Sequence, residues 1–156
     1  MECAAKTSRG WWTAGVAIFL LAGCVALVAL REDSVEDLKQ RVDSTSVGER
    51  PALCIQIAER QLDEANRLYE AGDSAKAQSA LGDVAGFAEQ ARDYSIRAHK
   101  REKQTEIAVR KMTRKLMNLK HAVSREDQQQ IQEAIDRLER VRDDLLAAMF
   151  PKGGRK

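Results

Sequence analysis

From Ser34 onward apolar residues recur at three- and four-residue intervals and nowhere alternate with polar ones, a pattern that predicts helices and no strands. Ser34-Val35-Glu36-Asp37 reads as a helix N-cap with an acid three residues on. It opens a short helix carrying Val35, Leu38 and Val42 on one face. DSTSVG at 43–48 reads as a linker. Pro51 suits a first helical turn, and its helix runs to about Ala71 with Cys54, Ile57, Ala58, Leu62, Ala65, Leu68 and Tyr69 as the stripe. Gly72 stops it and Asp73 caps the next.

Beyond Asp73 the pattern allows two architectures. Ala77, Leu81, Val84, Ala88, Ala91, Ser95, Ala98, Glu102, Thr105, Val109, Met112, Leu116, Leu119 and Val123 hold one register. That register passes through HKREKQ at 99–104, which has neither Gly nor Pro and consists mostly of good helix formers. It predicts one long helix over about 74–122, roughly 73 Å from end to end. The preceding helix would then lie antiparallel on its first half and the last helix on its second. The alternative is a break near Lys100 that folds four similar helices into a compact up-down bundle. Ser124 with Asp127 caps a last helix over 125–149, with Ile131, Ile135, Leu138, Leu145 and Met149 on its seam, and Pro151 stops it. In both cases the fold class is all-α, built of antiparallel helical hairpins.

The hairpin ANRLYEAGDSAKAQSAL resembles one tetratricopeptide unit, over about residues 58–84. Ala65, Leu68, Tyr69, the Gly72-Asp73 turn, Ala77 and Leu81 carry the likeness. Gln61 and Glu64 stand where that family prefers large apolar residues, and no second copy is visible along the chain. The resemblance implies an αα-hairpin rather than a peptide-binding array, since such units need neighbours to cover their faces.

The chain's start obeys different rules. Trp11 to Leu30 is free of formal charge, long enough at the helical rise to cross about 30 Å of hydrocarbon. Lys6 and Arg9 precede it, which predicts an N-in, C-out orientation and export of the remainder. Three fates fit the segment. It can stay as a transmembrane anchor, or be cut as a signal peptide, with Cys24-Val25-Ala26 offering the small residues such a cut needs. Leu21-Ala22-Gly23-Cys24 also resembles the lipobox of bacterial lipoproteins, which implies lipidation at Cys24. The expected location is thus the outer face of the cytoplasmic membrane, tethered, or the periplasm after release. The expected organisation is an export signal or anchor at 1–30, a short helix and linker at 31–50, a helical domain at 51–150 and a basic tail at 151–156.

Composition fits long helices with narrow apolar seams: aromatics are 4% of the 156 residues and charged residues 32%. Outside the leader Cys54 is the lone cysteine, so an internal disulfide in the helical body is excluded and a cysteine metal site is unsupported. On the apolar side of a helix it is expected to be a small buried hydrophobe.

Charge is uneven. Residues 31–73 carry six Lys/Arg against eleven Asp/Glu, 99–123 carry eight against two, and 124–149 carry four against seven. One expectation is internal pairing of the basic segment with its acidic neighbours. The other is that Arg110, Lys111, Arg114 and Lys115 contact an anionic surface or a partner. Nucleic acid fits poorly, because no aromatic side chain interleaves the basic run.

His99 and His121 are the two histidines, 22 residues apart. No HExxH, GxSxG, P-loop or CxxC occurs. The residues therefore point to a protein with no catalytic site, metal or cofactor. The functional expectation is a helical scaffold or interaction protein tethered to the bacterial envelope, self-associating or binding a partner helix. The alternative is a chaperone-like or peptide-binding module using a groove beside Gly82 and Gly86.

Overall fold

The computed structural model describes residues 34–151, so the apolar span at 11–30, Cys24 and residues 152–156 lie outside the description. The chain divides into two units, Met1–Glu32 and Asp33–Lys156, and the described helices belong to the second. They are α1 (Val35–Ser44), α2 (Arg50–Glu70), α3 (Ser74–Ala98), α4 (Glu102–Ala122) and α5 (Arg125–Met149), with no strand among the described residues. The fold is all-α. No described helix is long and apolar enough to cross a membrane.

The helix starts reflect the local chemistry of their caps. Ser34 accepts from the Asp37 backbone N–H at 3.1 Å while Asp37 accepts from the Ser34 N–H at 3.1 Å, a complete capping box. Asp73 accepts from the Lys76 N–H at 3.2 Å, and Ser124 from the Asp127 N–H at 3.3 Å. Gly72, at φ +78°, closes α2: its N–H reaches the Tyr69 carbonyl at 3.0 Å and the Asp73 N–H reaches the Leu68 carbonyl at 2.9 Å. This pair of bonds returns two orphaned carbonyls to hydrogen bonding and reverses the chain.

The continuous helix over 74–122 does not form; the chain breaks near Lys100. His99 and Arg101 both take the left-handed conformation, at φ +50° and +63°. His99 donates to the Ile96 carbonyl at 3.3 Å and Lys100 to the Ser95 carbonyl at 3.1 Å. That is the closure seen at Gly72, made without a glycine. Two left-handed L-residues cost roughly 1–2 kcal/mol each. Burial outweighs the cost, because the break lays α5 against α3 and α4 against α2. One fully buried Leu or Ile contributes about 1.5–3 kcal/mol. Leu116, Ile131, Leu138 and Leu145 all reach zero exposure in the core so formed. The turn also sits on the α1–α2 loop, where the Arg101 guanidinium pairs with Glu49 and a Cβ at Gly48 would come within 2.9 Å of the Lys100 side chain.

The break brings Ser95 and Thr105 together. Ten residues apart, they would be about 15 Å apart along a straight helix. Instead their hydroxyls share a hydrogen bond of 2.9 Å, buried between α3 and α4.

The result is two antiparallel hairpins, α2–α3 and α4–α5, side by side. In each the first helix has 21 residues and the second 25. Asp63 pairs with Lys115 at 3.0 Å, Glu49 with Arg101, and Arg92 with Asp144 at 2.8 Å, each pair spanning 52 residues. The second hairpin is therefore the first one advanced by about fifty residues, α2 parallel to α4 and α3 parallel to α5. The tetratricopeptide-like hairpin has a structural neighbour of matching dimensions, although no second copy shows in the sequence. At the other side α1 lays Leu38 and Val42 onto Leu53, Cys54, Ile57 and Ala91.

Candidate interaction surface

The four basic residues on α4 do not act as one group. Lys115 turns toward α2 and pairs with Asp63. Arg110 lies 3.7 Å from Glu106, one turn earlier on its own helix. Lys111 and Arg114 are exposed and make no hydrogen bond or ion pair. Arg101 and Lys115 do join the basic segment to the acidic α1–α2 region. No Lys or Arg of α4 pairs with an acid of α5. The one ion pair between these helices has the opposite sense: Arg142 of α5 donates to Glu106 of α4 at 3.1 Å. Glu106, nearly buried, is an acid inside the basic helix, and periodicity alone gives no sign of its role.

Around the outside of α4 the cations alternate with apolar side chains. Ile107 remains 44% exposed and Met117 41%, the two large apolar residues left open on any described helix. Lys103, Arg110, Lys111 and Arg114 lie among them. Beside this strip, across the Glu106–Arg142 seam, α5 presents Asp136, Glu139 and Asp143.

A groove of about 650 Å³ runs between the parallel helices α2 and α4, lined by Leu62, Asn66, Arg67, Asn118, Leu119 and Ala122, with the Asp63–Lys115 pair at its edge. Sequence reading missed it because it belongs to two helices brought together by the break. Gly82, by contrast, borders a cleft of about 110 Å³ between α3 and α5, and a Cβ at Gly82 or Gly86 would meet nothing within 4 Å. The wider groove lies elsewhere than beside these glycines.

Cys54 is fully buried, and burial pushes its thiol up to about 11. Glu89 receives both Arg137 donors at 2.9 Å, and these hydrogen bonds hold its carboxyl below the usual range. Burial, helped by the Asp127 charge, raises the Tyr69 hydroxyl. Asp127 also accepts from Ser74 at 3.1 Å, tying the first turns of α3 and α5 together. His99 caps the C-terminus of α3 and His121 lies in the last turn of α4, so nearly the whole length of α4 separates them. No three His, Cys, Asp or Glu of the described residues converge as a metal site.

These features define an all-α protein of two stacked hairpins with a capping helix and one open flank. No protein family model, curated protein or solved structure matches the chain.

Proposed function

We propose that this chain is a non-enzymatic interaction protein of the bacterial envelope, whose N-terminal apolar segment carries its helical body to the outer side of the cytoplasmic membrane. The observation that carries the reading is the outer strip of α4. Unpaired Lys111 and Arg114 beside exposed Ile107 and Met117 make a surface suited to a macromolecular partner. The charge-free span behind Lys6 and Arg9 supports the location. A reporter active only outside the cytoplasm, fused after Lys156, should be active; activity of a cytoplasm-only reporter there would overturn it. Cys24→Ala then separates the retained forms, because a lipoprotein loses its lipid label and an anchor fractionates as before.

The α2–α4 groove supports a second reading, a chaperone-like module that holds an extended client. An unstructured peptide should then bind the chain and be displaced by Asn118→Trp, which fills the groove. Binding unchanged by that substitution removes this reading.

A further inference from the structure

α1 closes one side of the stack; nothing among the described helices closes the other, where α4 and α5 lie side by side. The seam between them is marked by Glu106–Arg142 and by Lys120, which donates to Gln132 at 2.7 Å. At about 100° per residue, Arg110 and Arg114 lie roughly 40° and 80° beyond Glu106, on the side away from Val109. On α5, Glu139 and Asp143 lie roughly 60° and 100° beyond Arg142, on the side away from Leu138. Both pairs therefore turn to the same open flank, a basic strip and an acidic strip running antiparallel. They do not neutralise each other: no ion pair joins the strips, and Glu139 and Asp143 have no hydrogen bond or ion pair.

We propose that this flank is a homodimer surface, with α4 of each protomer lying over α5 of the other. A twofold axis parallel to the helices, between α4 and α5, carries each basic strip onto an acidic one. At about 1.5 Å per residue along each helix from the level of Glu106–Arg142, Arg110 then lies nearest the partner's Glu139, Arg114 nearest the partner's Asp136 and Lys103 nearest the partner's Asp143, twice over. Ile107 and Met117, with half-buried Leu146 of α5, supply the apolar contacts. The same layout disfavours an anionic membrane as occupant. Asp136, Glu139 and Asp143 would face the headgroups along with the cations, and like charges there oppose docking. A complementary copy satisfies both signs.

The inference rests on the proposed interaction role. Its test uses full-length chains bearing two different tags, expressed together, solubilised in mild detergent and co-purified. Wild type should capture wild type, and capture should weaken as salt is raised. Arg110→Glu/Arg114→Glu leaves both strips acidic, and Glu139→Arg/Asp143→Arg leaves both basic. Each should lose self-capture on the order of tenfold. The two variants mixed should recover it, because each then meets its opposite. Restoration by mixing also shows that the variants fold. Self-capture that survives either reversal, or a mixture that fails to recover, overturns the dimer. So does a chain that is monomeric while Glu139→Arg/Asp143→Arg tightens its binding to phosphatidylglycerol vesicles, the outcome expected of a membrane surface. A failed reversal series with the reporter still active outside the cytoplasm removes the dimer alone; an inactive reporter removes the envelope reading.

Discussion

His99 shows how far a single residue departs from what its type prefers. It closes α3 in the left-handed conformation with the same hydrogen bonds that Gly72 makes at the end of α2. A β-carbon is strained there, and glycine is not. His99→Gly should therefore raise stability by about 1 kcal/mol, read as a higher urea midpoint at unchanged slope. The side chain is largely exposed, and its one charged neighbour is Glu102 at 3.8 Å, so little opposes the gain. A midpoint that falls would mean the imidazole makes a contribution the geometry does not account for. Glu106 departs from its type in another way. It is an acid buried among basic neighbours, held by Arg142 from the next helix.

Among the elements, helix existence and most ends were legible in the sequence, because caps such as Ser34, Asp73 and Ser124 act through their immediate neighbours. The break at 99–101 was not legible from periodicity, since Ser95 and Thr105 fit one continuous seam as readily as two facing ones. A weak signal was present. In a continuous helix Arg97–Arg101 and Lys100–Lys103 would stand as like-charged neighbours, each destabilising by a few tenths of a kcal/mol. Ala80 and Ala85, buried on α3 but outside its main stripe, record that this helix is covered on more than one side. Alanine is too common in helices for that to be read beforehand. The strip on α4 was legible as a charge run, but its division was not: Lys115 pairs with a residue 52 positions earlier. The break gives a direct test. Lys103 lies in the first turn of α4, where proline is tolerated, so Lys103→Pro should cost under about 1 kcal/mol. Ala108→Pro, in the helix interior, should cost about 3 kcal/mol or more. Similar melting losses for the two would contradict a helix beginning at Glu102.

At the scale of the whole molecule, polar links join the two hairpins along their length, and Glu89–Arg137 is the bidentate one among the described residues. The folded state holds the Glu89 carboxyl below its usual value, so this pair stabilises at neutral pH. The contribution is lost as pH falls from about 4.3, the unfolded value, through the lower folded one. Glu89→Gln should cost about 1 kcal/mol at pH 7, discounted for partial exposure. That gap should close in acid, as seen in thermal melts across pH; a gap constant down to pH 3 would rule out the ionic origin. Cys54 extends the same reasoning from equilibrium to time. Its thiol is sealed beneath α1, and at pH 8 only about one in a thousand would be ionised even if reached. Alkylation must therefore wait for an opening, and its rate becomes a clock for how often the cap lifts. If α1 lifts alone, Leu38→Ala will quicken labelling of Cys54 far beyond its effect on global melting, while Leu138→Ala will not. Peptide-resolved mass spectrometry separates Cys54 from Cys3 and Cys24. If both variants quicken labelling only in proportion to lost stability, the cap and the hairpins open as one.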